Sequence, residues 1–399
     1  MAFARPIESG HGNVREDCHV TEPSKYELAA WDDIQRFKGR PLSRVARGAG
    51  QQVAVGAEEL SKRAGKYLAE HPSAKSAVSR GQAGVARAAR VIGDGARQAA
   101  NAVPSGVTDW SSAALESVQK TVGRASRLGL SSKRVVSRHQ KLGHEVTALS
   151  DLRRLDLEQI DAVRGRGATW YYPAFAALSG AGAGLVISGG ELVTAASAGA
   201  AAAPSGGVIV GAFAADASIV LGLASRSVGQ ISLAYGYDPE VPSEKLFVMS
   251  VVNAGSAISA ATKTAAMSDI SRLTQALIRG KTWQVLDKSV VTKVSSQFAK
   301  AFGFRLTKQG LGKVVPAAGI VVGGTLNWTT LESIVDTADM AYRRRFLLQK
   351  YPQLGDKPPT TSTTGDLAVD SVQPDEPISV LDELAEAGGP DLRTSDADE

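Results

Sequence analysis

Charges inside the apolar stretches of the C-terminal half are the residues best placed to do chemistry: Asp216, Arg226, Glu332, Asp336, Asp339 and Arg343. Removing such a group from water is costly unless it is paired, so each must have a partner or a purpose. Carboxylates gathered in a cavity would act as acid and base or grip a headgroup or metal, whereas carboxylates in ion pairs only orient helices. Asp216 and Arg226 lie on one helix but about 15 Å of rise apart, which excludes a direct pair. Glu332, Asp336, Asp339 and Arg343 fall on one stripe, with Asp339 and Arg343 at the favourable i,i+4 spacing. A structural ion-pair network is the preferred reading of that stripe. The alternative is a cavity lined by Asp216 and Asp336, which would suit a lipid-transfer protein or an enzyme acting on a membrane-derived substrate.

Other motifs carry less. GlyAlaGlyAlaGly at 180–184 has the look of a dinucleotide loop, yet lacks a preceding strand and an acidic residue at the right distance, and helix packing explains it better. The histidines at 11, 19, 71, 139 and 144 match no zinc spacing, with or without Cys18. GxSxG, P-loop and HExxH patterns are missing. No catalytic residue, metal or cofactor is therefore expected.

These positions must be held by elements of very uneven composition. Residues 36–145 hold 20 Lys and Arg against 7 Asp and Glu, a strongly basic zone. Residues 168–350 are rich in Ala, Gly, Val and Ser. Residues 355–399 carry 12 acids against Lys357 and Arg393, with no aromatic residue, and read as a disordered acidic tail from 353 onward. The net charge of +5 hides these two opposed blocks. The single Cys18 excludes an intramolecular disulfide and fits a reducing cytoplasm. The first residues lack an apolar core and cleavage site, so no secretory signal is expected, and 1–22 reads as a disordered leader.

Periodicity predicts an all-α fold. Ser24 and Glu27 form a capping box for a helix within 23–40, with Leu28, Trp31, Ile34 and Phe37 on one face. Residues 41–148 read as an Ala/Arg-rich insertion of three weakly amphipathic helices, separated at His71-Pro72 and Val103-Pro104, whose small apolar faces suit either reversible docking on anionic lipid or a solvated, partly disordered arm. A helix over 149–164 buries Leu152, Leu155, Ile160 and Val163. Beyond it, helices are expected near 168–189, 191–202, 206–235, 243–262, 267–279, 282–300, 307–324 and 326–348, within an apolar domain spanning 149–352.

Ala168–Gly190 has 23 uncharged residues, enough for a hydrocarbon core of about 30 Å. Its strong apolar residues are few, and its glycines, Tyr171, Tyr172 and Pro173 offset them, so insertion is marginal. Gly180 with Gly184, Gly207 with Gly211, and Gly319 with Gly323 stand four apart, a spacing that lets helix backbones approach closely. The pattern favours a close-packed helical hairpin over independent spans and leaves room for partial insertion. ArgArgArg at 343–345 fits a cytoplasmic membrane edge. Nucleic-acid binding is disfavoured, because the basic zone has few aromatic residues, Tyr67 and Trp110 among them, and no reading motif.

Three segments resemble proteins of the EcsC family: TyrGluLeuAlaAlaTrp at 26–31; ProSerGlyGlyValIleValGlyAlaPheAlaAlaAspAlaSerIleValLeu at 204–221 with GlnIleSerLeuAlaTyrGlyTyrAspPro at 230–239; and AlaAlaGlyIleValValGlyGlyThrLeuAsnTrp at 317–328 with AspThrAlaAspMetAlaTyrArgArgArgPhe at 336–346. The resemblance covers roughly 25–352, with the stretch between Trp31 and Arg153 departing from the family's compact pattern. It implies a peripheral or membrane-associated bacterial protein, since the namesake is encoded beside an ABC transporter and members have no established activity. It also implies roles in shape or ligand contact for Asp216, Tyr235, Gly236, Asn327 and Asp336. The expectation is a non-enzymatic cytoplasmic protein, peripheral to the membrane, whose partner is an anionic membrane surface or a membrane protein in a transport- or envelope-related process.

Overall fold

The computed structural model describes residues 22–37, 130–165, 172–174, 176–177, 202–280, 286, 288–311, 319–355 and 378–392. Nine α-helices lie among them, with no strand: α1 (Lys25–Arg36), α2 (Ser132–Lys141), α3 (Leu157–Arg164), α4 (Ala202–Ala234), α5 (Pro242–Gly255), α6 (Ala260–Arg279), α7 (Lys288–Leu311), α8 (Gly319–Lys350) and α9 (Val380–Glu386). Short 3-10 turns occupy Leu149–Arg154 and Pro352–Leu354. The all-α expectation holds, as a compact bundle.

α8 is the spine. Asp216 meets Asn327 and Tyr235 meets Asp339, so α4 runs parallel to it. Glu244 meets Arg345 while Gly255 abuts Ile334, so α5 runs antiparallel. Lys263 meets Thr337 and Ser271 meets Arg344, which makes α6 parallel again. α5 is buried around most of its circumference from Leu246 to Gly255, as expected of the innermost helix. On α4 the core stripe is Val220, Ala224, Val228 and Ile231, at helical spacing. α7 packs on α4 and α5, and α1 seats at the C-terminal end of α8.

Two glycines fix the backbone. Gly236 turns the chain from α4 toward α5 with φ +83°, and a Cβ there would stand 2.9 Å from the Leu149 carbonyl oxygen. At Gly255 a Cβ would lie 2.5 Å from the Ile334 Cα, so α5 and α8 touch backbone to backbone. This close approach is not at a small-residue pair singled out by spacing. Gly207 and Gly211 fall within α4 and Gly319 and Gly323 within α8. Gly180 and Gly184 lie outside the described residues, as do the three basic amphipathic segments.

Several expectations need correction. The capping box of α1 is present, with Ser24 Oγ accepting from Glu27 N and Glu27 Oε2 accepting from Ser24 N at 2.9 Å. Leu28, however, is exposed, and the buried face is Glu27, Ala30, Trp31 and Ile34. The single helix expected over 149–164 is a 3-10 turn and α3, broken where Asp156 N donates to the Gln159 side chain. The helices expected at 307–324 and 326–348 overlap one continuous helix, α8. α2 belongs to the bundle rather than to an appended arm, for Val136 and His139 are buried.

The acidic tail is not disordered throughout. Residues 378–392 include α9, and Val380, Leu381 and Leu384 are fully buried in the common core. Averaged composition hides them, because these three apolar side chains are outnumbered by the 12 acids of residues 355–399. Ser379 caps the helix by accepting from Asp382 N at 3.2 Å, and Gly388, at φ +88°, ends it.

Candidate functional site

From Asn327 onward α8 presents polar side chains to several different helices. Asn327 Nδ2 donates to both oxygens of Asp216, at 2.8 and 3.0 Å. Two and a half turns later Lys263 Nζ donates to Thr337 Oγ1 at 3.0 Å. Lys263 is 2% exposed, and burial pulls its ammonium down to about 8, with the neighbouring Asp336 charge acting the other way. Asp216 and Asp336 are therefore not brought together: Asp216 is anchored at Asn327, about 13 Å along the helix from Asp336.

The largest cluster lies at the C-terminal third of α8. Asp339 Oδ1 accepts from Arg164 Nη1 and, at 2.9 Å, from the Tyr235 hydroxyl. Arg343 Nη2 donates to Asp161 Oδ2 at 2.5 Å, and that same oxygen accepts from the exposed Tyr26 hydroxyl at 2.7 Å. Two Asp and two Arg thus alternate around the Tyr235 hydroxyl. The i,i+4 pairing expected of Asp339 and Arg343 gives way to two cross-helix pairs, because α3 brings a cation and an anion of its own. Burial lowers the affinity of Arg164 and Arg343 for their protons, yet the Asp339 and Asp161 carboxylates work the other way and both stay above the usual guanidinium range. The Tyr235 hydroxyl is raised, by burial first and then by the Asp339 charge. It stays protonated and donates.

One turn on, the three consecutive arginines diverge. Arg343 goes to α3, Arg344 donates to Ser271 of α6 at 2.9 Å, and Arg345 grips Glu244 of α5 through two bonds of 2.9 and 2.6 Å. The Arg345 guanidinium also lies 4.0 Å from the centre of the Tyr237 ring. Burial, opposed by Arg345, pushes the Tyr237 hydroxyl up to about 12. A run that looked like a membrane-facing edge is thus turned inward, since each cation finds a protein partner. At the helix end Lys350 Nζ reaches Glu27, Asp156 and the Leu155 carbonyl, at 3.1, 2.7 and 3.1 Å.

The arrangement neutralises charge rather than exposing it. Among the described residues no cluster of three or more His, Cys, Asp and Glu is placed to hold a metal. His139 Nδ1 and His144 Nδ1 share one hydrogen bond of 2.9 Å, and burial followed by the His144 charge pulls His139 down to about 4. Sequence reasoning missed Asp161, Arg164, Lys263, Glu244 and Arg345. Asp161 and Arg164 are charged at i,i+3 just before the apolar block, which could have marked α3 as the counterpart of the α8 stripe.

The class the fold defines is an all-helical bundle whose described interior charges are largely spent on helix-to-helix pairs. Residues 86–347, well over half the chain, match the EcsC protein family, and the chain belongs to it. The match begins inside the basic zone, so part of the stretch read as an insertion is family sequence. The uncharacterized protein YdbA of Bacillus subtilis (strain 168) is 30% identical over 139 residues, 34% of this chain and 48% of that protein. The chain thus spans about half the length of this curated relative. No solved structure matches.

Proposed function

We propose that this is a non-enzymatic, membrane-associated scaffold that engages anionic lipid, or a membrane protein beside it, at the cytoplasmic face. The carrying observation is a division of charge. The bundle satisfies its own charges along α8, whereas residues 36–145 hold 20 Lys and Arg against 7 acids. Each Lys or Arg near an anionic leaflet contributes about 1 kcal/mol, so even a part of this zone supplies attraction that the bundle does not need for folding. Asp216–Ala234 is long and apolar enough to cross a membrane, with mean hydropathy 1.2, but 56% of it is buried against the rest of the protein, as in the core helix of a bundle. Family membership with a helical fold supports the reading, and a transport- or envelope-related process is its natural setting.

Liposome flotation tests it. The full chain is expected to float with vesicles containing phosphatidylserine or phosphatidylglycerol, to stay down with neutral vesicles, and to be released by high salt. Failure to float on any vesicle overturns the proposal. Retention through salt and alkaline carbonate would instead make the apolar helices the anchor.

A further inference from the structure

The C-terminal segment behaves as a ligand of the bundle. Its helix α9 has two turns, too few to persist alone, and carries its own start and stop: Ser379 caps it, Gly388 ends it, and Gly389 N closes on Leu384 O at 2.9 Å. It packs on α5 and α7, joined to the end of α8 by residues 356–377. Three kinds of contact hold it. Val380, Leu381 and Leu384 enter the core. The Asn253 carboxamide donates to the Ile378 carbonyl at 2.5 Å, and behind it Arg305 Nη1 holds Asn253 Oδ1 at 3.0 Å. The Ser379 hydroxyl donates to Asp269 of α6 at 2.9 Å.

These contacts read the backbone at the helix entry, the capping hydroxyl and an i, i+1, i+4 apolar face, which are the features by which a groove recognises a short amphipathic helix. The groove side is built on α5, α6 and α7: α5 packs on both α6 and α7, and α5 and α6 are tied to α8, none of it through α9. Like charge works against the contact: Asp269 is raised by burial and further by Asp382, while the Ser379 hydrogen bond and Arg272 act the other way. We infer that the groove of α5, α6 and α7 is a recognition site for a short capped amphipathic helix, which the chain's own residues 378–392 occupy in cis and thereby close to other helices. Tethering keeps the local concentration of this ligand high without making the contact strong. A competing helix therefore has to displace the tail, and the tail sets the threshold for binding.

The test uses the full-length chain with Leu381→Asp and Leu384→Asp, which ejects the tail, and a fluorescent peptide of residues 378–392. Anisotropy is expected to show saturable binding to this variant and at least tenfold weaker binding to the unsubstituted chain. Adding Asn253→Ala to the variant should weaken the peptide severalfold. Binding to neither chain, or equally to both, overturns the inference. Should the double substitution prevent folding, hydrogen exchange on the unsubstituted chain decides. Amides of Leu384 to Gly389 are expected to open well before those of α5 and α8, and exchange only in concert with them would make α9 a core element rather than a ligand.

Discussion

The hydroxyl of Tyr351 donates to Glu27 Oε2 at 2.7 Å, joining residues 324 positions apart. Glu27 Oε1 meanwhile accepts from Lys350 Nζ at 3.1 Å and from Leu157 N at 3.3 Å. One carboxylate thus caps its own helix and ties α1 to α3 and to the end of α8. Burial works to raise Glu27, but the Ser24 backbone bond, Tyr351 and Lys350 together bring it below its usual 4.5.

Because the folded carboxyl is depressed, its contribution is complete above about pH 4.5 and is lost as pH falls through the lower folded value. Glu27→Gln is expected to flatten the acid limb of stability, and Glu27→Ala to cost about 3 kcal/mol by orphaning buried donors. Urea unfolding between pH 3 and pH 7 reads both. An acid limb present in the unsubstituted chain and flattened in Glu27→Gln is the expected pattern, and parallel curves would exclude Glu27 as its source.

Glu244 and Arg345, each with a side chain 7% exposed, form a bidentate pair inside the bundle. Removing one partner leaves a buried charge, so Glu244→Ala should destabilise by roughly 3–5 kcal/mol. Replacing both, with Glu244→Leu and Arg345→Met, should recover most of the loss. A double-mutant cycle by chemical denaturation reads the coupling, and additive losses would mean that the pair is not a unit.

Gly236→Ala forces a side chain onto a left-handed backbone and against the Leu149 carbonyl. The expected cost is about 2 kcal/mol or more. Gly303→Ala, where a Cβ meets nothing within 4 Å, is the matched control and should be neutral or slightly stabilising. Thermal melts of the two variants should therefore diverge.

Lys263 titrates at about 8 in the folded chain against 10.5 when exposed. Between these values the unfolded chain binds more protons, so stability should rise with pH across that window, by an amount of order 3 kcal/mol. Lys263→Met is expected to abolish the slope. Denaturation at pH 7.5, 9 and 10 measures it, and an unchanged slope would assign the effect to another group.

Helical periodicity exposed the class of fold and most of the long helices, because apolar stripes such as Val220, Ala224, Val228 and Ile231 are written directly in the spacing. The stripe on the last helix drew attention to Asp339 and Arg343, the charge in an apolar run to Asp216, and the family resemblance to Tyr235 and Asn327, but none of these gave their partners. Asp339 meets Arg164 across 175 positions and Arg343 meets Asp161 across 182, and no local rule ranks such pairs above an i,i+4 neighbour. The inward turn of Arg343, Arg344 and Arg345 was illegible for the same reason. α9 was the opposite case, since SerValLeuAspGluLeu followed by GlyGly is a readable capped helix that average composition concealed.

The placement of α8 late in the chain has a consequence for synthesis. Glu244, Lys263, Asp161 and Arg164 all leave the ribosome before residues 319–350, which carry the groups they bind. At about 5–20 residues per second, α1 waits from roughly 16 to 65 s for Tyr351. Throughout that interval the nascent polypeptide holds most of an apolar bundle without its keystone, so its dependence on holding chaperones should end when the last turn of α8 emerges.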